Sequence, residues 1–111
     1  MNHEKLECYR RLLEVAKWVE DTVAHWPREY GYLVDQLRRA ISSATLNLAE
    51  GNAKRDKPLE RRRFFQISMG SIAEVSACLD LASVFRLISA KEQEEKKEML
   101  RASYCMIRKL P

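Results

Sequence analysis

Glycine and proline are scarce in this chain, with three of each in 111 residues. A β-sandwich or barrel needs turn residues at intervals of about ten. That shortage excludes the common all-β architectures and favours helices. Cysteine is scarce too. Cys8, Cys78 and Cys105 are odd in number and show no CxxC or CxxH spacing, which argues against a disulfide framework and a zinc knuckle alike. Each falls on or beside an apolar helical stripe, where a reduced thiol serves as a small hydrophobe. The two histidines, His3 and His25, fall short of the roughly three converging ligands that a metal centre wants. No metal or cofactor is expected. The stretch from Met1 to Lys5 lacks the apolar run of a signal sequence, and Asp80 interrupts the longest uncharged neighbourhood. The expectation is therefore a cytoplasmic protein with no membrane-spanning segment.

What the chain does have is helical periodicity. Hydrophobic residues make up 46% and charged ones 32%, a balance that supports one globular domain, residues 1–111, with a core of its own. Over residues 4–25, Leu6, Tyr9, Leu13 and Ala16, then Leu12, Val15, Val19 and Val23, recur at three and four. That is the pattern of an amphipathic helix, and Pro27 stops it. A second helix over residues 32–50 carries Leu33, Leu37, Ala40, Ile41, Ala44 and Leu48 on one stripe, with Gly51 as its expected terminator. Pro58 opens a third helix, with Asp56 as the candidate cap, and it runs to residue 85 or 87.

The third helix has two adjacent seams, one of Phe64, Ser68, Ser71, Val75, Cys78 and Ala82, the other of Phe65, Ile72 and Leu79. Ile67, Leu81 and Val84 lie elsewhere on its circumference. A helix this apolar all round is covered by more than its intrachain neighbours, which points to a homo-oligomer. Ser89-Ala90-Lys91-Glu92 is a capping box and opens a fourth helix through residue 110, with Leu100, Tyr104 and Ile107 as its stripe. Short connections between four such helices predict an all-α, antiparallel, up-down four-helix bundle. Trp18 and Trp26 read as core or interface anchors.

The polar residues on these faces carry the rest of the information. Ser43, Asn47 and Glu50 share one face of the second helix, and Gly70, Ser71 and Glu74 make a small, polar patch on the third. A glycine inside a helix costs about 1 kcal/mol relative to alanine, so close approach of another helix is expected at Gly70. The set reads as a hydrogen-bonded seam that fixes helix register, with Arg38 or Arg39 partnering the carboxylates. Glu50 and Glu74 as an acid/base pair would lack a nucleophile, a metal ligand and a phosphate loop, so no enzyme is expected.

Charge is the remaining feature. Between residues 52 and 66, six cations (Lys54, Arg55, Lys57, Arg61, Arg62 and Arg63) stand against Asp56 and Glu60 alone, which matches the +4 balance of the whole chain. Successive arginines at a helix start point about 100° apart, so at least one of Arg61, Arg62 and Arg63 must face outward. Such a cluster is either a solvated basic face or a phosphate-binding footprint for RNA or DNA. A protein–protein scaffold with no nucleic-acid partner is the competing function class.

Gln36-Leu37-Arg38-Arg39-Ala40, then Ser43, then Asn47-Leu48-Ala49-Glu50-Gly51 form one motif; Arg63-Phe64-Phe65 leading to Gly70-Ser71-Ile72-Ala73-Glu74, Leu79 and Ala82 form another. Together they resemble the signature of the four-helix-bundle family of proteins encoded in intervening sequences of bacterial 23S ribosomal RNA genes. That family is similar in turn to the accessory protein of diversity-generating retroelements. The resemblance covers nearly the whole chain, and implies a bundle assembled as a ring-like homopentamer. In the retroelement relatives it also implies binding to nucleic acid and to a reverse transcriptase through a basic surface. Arg39, Ser43, Asn47, Glu50, Gly70, Ser71 and Glu74 carry over as structural or interface positions. Ser42, Ala44 and Thr45 depart from the family pattern, where bulkier aliphatic residues and a proline are commoner.

Overall fold

The three-and-four spacing of apolar residues becomes four α-helices: α1 (Glu7–Val23), α2 (Gly31–Ala53), α3 (Pro58–Val84) and α4 (Ala90–Arg108). They are seen in a computed structural model that describes residues 2–111. No strand occurs among the described residues. Short 3-10 turns, Asn2–Lys5 and Arg28–Tyr30, precede α1 and α2. The first helix thus begins later than its periodicity predicts, because Leu6 is extended (φ −75°, ψ 128°) and separates the 3-10 turn from α1.

Each α-helix packs on its successor, and α4 closes against α1. The most extensive interface joins α2 to α3. Across it Gln36 meets Glu74, Ser43 meets Ser71 and Ala44 meets Ser68; residue numbers rise along one helix as they fall along the other, so the two run antiparallel. The result is a four-helix bundle 46 × 23 × 20 Å in extent. Its length is set by α3, whose 27 residues span about 40 Å. Leu12, Val15, Leu37, Leu48, Val75 and Leu79 are all 0% exposed, and Leu100 and Ile107 complete the core from α4. Each such side chain contributes roughly 1.5–3 kcal/mol of burial.

The helix ends show where local signals held and where packing overrode them. Ser89 is the N-cap of α4 as its spacing predicts: the Glu92 N–H donates to Ser89 Oγ at 3.0 Å, and the Ser89 N–H to Glu92 Oε1 at 3.0 Å. The backbone bond from Ser89 is the largest cause holding Glu92 below the usual carboxylate range. Pro58 occupies the first turn of α3, but Lys57, not Asp56, is the N-cap residue, and no side chain caps that end. Gly51 does not terminate α2, which continues to Ala53; no glycine here has a positive φ.

A left-handed residue does appear at the other end of α3, and it is Arg86, at φ 62°. Its N–H donates to Ser83 O at 3.0 Å and the Leu87 N–H to Ala82 O at 2.8 Å, which is the Schellman closure of a helix. Glycine is the usual residue there because any Cβ is strained by roughly 1–2 kcal/mol. Arg86→Gly is therefore expected to raise stability by about 1 kcal/mol, after allowance for glycine's greater unfolded entropy. The readout is a higher denaturant midpoint with an unchanged slope.

The outer side of α3 stays apolar. Despite Glu74 and Asp80, the helix contains an 18-residue stretch of mean hydropathy 1.3, of which 33% is buried. By length and composition alone it is apolar enough to cross a bilayer. Its inner face packs into the bundle, and Asp80 accepts from Lys97 Nζ at 2.7 Å and Gln93 Nε2 at 2.9 Å of α4. The bond from Lys97 is the largest cause lowering the Asp80 pKa. Outside remain Ile67, Leu81 and Val84, at 39%, 45% and 73% exposure.

Candidate nucleic-acid interface

The connector between α2 and α3 is short because a single turn, closed by the Lys57 N–H donating to Lys54 O at 3.1 Å, delivers the chain to Pro58. The charged segment is thereby concentrated at one end of the bundle. Its six cations do not behave alike. Arg61 turns inward. Its Nη1 donates to Gly51 O at 3.0 Å and Asn52 O at 3.2 Å, and its Nε to Pro111 O at 2.7 Å. The guanidinium also lies 4.8 Å from the centroid of the Phe65 ring. These carbonyls include the last turn of α2, where the helix dipole is negative and a cation is favourable. Burial, and secondarily the charge of Arg55, lowers the Arg61 pKa, though a guanidinium stays protonated at any ordinary pH. Arg61 is thus the C-terminal cap of α2, not a free member of the cluster.

The others divide by partner. Lys54 lies 3.9 Å from Glu50 and Lys57 lies 4.0 Å from Glu60, both loose contacts on the surface. Arg55, Arg62 and Arg63 are exposed, and no ion pair engages them among the described residues. These three and Lys57 are what the bundle end offers to an anion.

The polar seam is half realised. Ser71 Oγ donates to Ser43 Oγ at 2.8 Å, and Asn47 Nδ2 donates to Ser43 O at 2.8 Å and Ser43 Oγ at 3.1 Å, so Ser43, Asn47 and Ser71 do meet between α2 and α3. Glu50 and Glu74 do not join them. Both are exposed; Glu50 faces Lys54, and Glu74 accepts from Gln36. Arg38 reaches α1 instead, donating to Glu20 through Nε at 3.0 Å and Nη2 at 2.7 Å, which holds Glu20 below the usual carboxylate range. Arg39 is exposed and pairs with no described residue.

Gly70 is exposed, and a Cβ built there meets nothing within 4 Å. The close approach belongs to Gly51, where a Cβ would fall 2.6 Å from Phe65 Cδ1 and Cε1 and 3.2 Å from Arg61 O.

Over residues 4–109 the sequence matches the family described as 23S rRNA-intervening sequence protein. The chain belongs to that family. No curated protein matches it.

In this 23S rRNA-intervening sequence protein two buried serines escaped sequence reasoning as hydrogen-bonding groups. Ser68, 0% exposed, donates to Ala44 O at 2.6 Å across the α2–α3 interface, and Ser103, also 0% exposed, donates to Cys8 O at 3.2 Å between α4 and α1. The available signal was a serine standing at an apolar-stripe position. Cys8 and Cys78 are buried, and burial is the main cause raising both thiol pKa values, so they stay protonated as small core residues. Cys105 is exposed instead. His3 packs edge-on against Tyr9 at 4.8 Å between ring centroids, and His25 is exposed. Trp18 and Trp26 are half-buried against the core, as expected of anchors.

Proposed function

We propose that this protein is a non-enzymatic, up-down four-helix bundle that assembles as a homopentamer and binds RNA through the arginine-rich end between α2 and α3. The observation that carries the reading is the outward display of Arg55, Arg62 and Arg63, with no carboxylate among the described residues engaging them. Membership of a family named for 23S rRNA intervening sequences supports RNA over DNA as the first ligand to test. Repetition around a ring would multiply the field of one protomer, since phosphate binding rests on summed charge. A reverse transcriptase is the protein partner that the retroelement resemblance adds to this proposal.

The test is a titration of labelled, structured RNA followed by fluorescence anisotropy. Micromolar or tighter binding is expected at low salt, with little sequence dependence. Log affinity should fall by about 0.9 per neutralised phosphate for each log unit of salt. Arg55→Gln, Arg62→Gln and Arg63→Gln combined should weaken binding by at least about tenfold and flatten that slope by up to roughly 0.9 for each phosphate no longer neutralised. Arg61 is left in place, because replacing it would uncap α2 and confuse binding with folding. Absence of binding by the parent protein at low ionic strength would overturn the RNA reading in favour of a protein–protein scaffold.

A further inference from the structure

A cleft of about 580 Å³ opens where the first turns of α3 face the last turn of α4. That size lies within the roughly 300–1,000 Å³ of small-ligand sites. Phe65, Met69, Ile107 and Leu110 give it an apolar lining, while Arg62 and Arg108 stand on it as exposed cations. Neither arginine has a carboxylate partner among the described residues. Gln66, also on the cleft and exposed, makes no described hydrogen bond, so its amide offers a donor and an acceptor together. Arg61 lines the cleft as well and is already fixed by three backbone carbonyls and the Phe65 ring, so it needs no ordering when a ligand arrives.

Resting on the RNA reading above, we infer that this cleft takes one unpaired nucleotide of the bound strand. The fit is one of chemistry. A base is flat and apolar with polar edges, and the cleft is apolar with one free amide. The phosphate beside the base is anionic, and two unpartnered guanidinium groups stand at the cleft. Arg62 belongs at once to the cleft and to the exposed surface of Arg55 and Arg63, so a strand tracking that surface passes the cleft. In a duplex the bases are stacked and paired and cannot enter. Unpaired bases can be splayed out and held by stacking and edge hydrogen bonds. The arginine surface then supplies affinity for any phosphate backbone, and the cleft selects single-stranded or bulged RNA.

The experiment compares a labelled oligouridine with its duplex with oligoadenosine at matched salt, using the full chain. The parent protein is expected to bind the single strand about tenfold more tightly, the order supplied by edge hydrogen bonds from Gln66 and a charge-assisted bond from Arg108 to the adjoining phosphate. The double variant Gln66→Ala, Arg108→Gln changes only exposed side chains. It is expected to lose that preference while duplex affinity changes by less than about twofold, since Arg55, Arg62 and Arg63 remain. Equal affinity of the parent for both forms overturns the cleft assignment and leaves the RNA reading standing. So does a single-strand preference that survives the double variant, because its source then lies elsewhere. An altered oligomer mass in the double variant would make the cleft a contact between copies and also overturn it. Failure of the parent to bind either form at low salt overturns this inference and the RNA reading together.

Discussion

Gly51→Leu is expected to cost about 3 kcal/mol of stability, the upper part of the range for overpacking a core. The first added atom already falls 2.6 Å from two carbons of the Phe65 ring and 3.2 Å from the Arg61 carbonyl oxygen. Phe65 is 5% exposed, so its ring has little room to retreat, and the carbonyl is part of α3 itself. Relief requires α2 and α3 to part at their connected end. That would also loosen the bonds from Arg61 to Gly51 and Asn52 that close α2. Leucine's better helix propensity returns only about 1 kcal/mol, so the balance is clearly unfavourable against a total stability of roughly 5–15 kcal/mol. Gly70→Ala is the control. With nothing within 4 Å of the new Cβ, it is expected to stabilise the protomer by up to about 1 kcal/mol. Denaturant midpoints of the two variants should move in opposite directions. A Gly51→Leu midpoint at or above that of the parent would show that the α2–α3 contact yields without cost.

Ile67→Asp combined with Leu81→Asp is expected to convert the proposed oligomer to a 13.0 kDa monomer with its helix content unchanged. The two side chains are 39% and 45% exposed on α3, in heptad register with Glu74 at the rim of the α2–α3 interface, where a carboxylate can stay hydrated in the isolated bundle. In an assembly that covers them, each loses about 1 kcal/mol for the part of the side chain still exposed in the protomer, and each new carboxylate adds the cost of desolvating a charge without a partner. Light scattering coupled to size exclusion reads the result directly. The parent should report several times 13.0 kDa at micromolar concentration. A monomeric parent would refute the proposed assembly, whereas an oligomeric double variant would move its interface off this side of α3.

The amino-acid order by itself determined how many helices there are and most of the side that each turns inward, although Leu13 and Tyr104, read onto the stripes of α1 and α4, are 45% and 36% exposed. Leu33, Leu37, Ala40, Ile41, Ala44 and Leu48 are all buried on α2, because burial along one helix depends only on the helix's own period. The cap at Ser89 was equally legible, since both of its partners lie within three residues and need no other part of the chain. Tertiary structure decided whatever depends on the distance between two helices or on the reach of a long side chain. Gly51 sits at the tight point and Gly70 in the open, although both are helical glycines, because spacing along the chain does not encode how closely Phe65 approaches. Arg61 turned in while Arg62 and Arg63 stayed out, because only Arg61 stands where the final carbonyls of α2, themselves set by packing, can receive it. For the same reason Glu50 and Glu74, which share faces with Ser43 and Ser71 by periodicity, took surface partners. A carboxylate that can stay hydrated at the rim of an interface does so, since entering it would require a cation that the fold directs elsewhere.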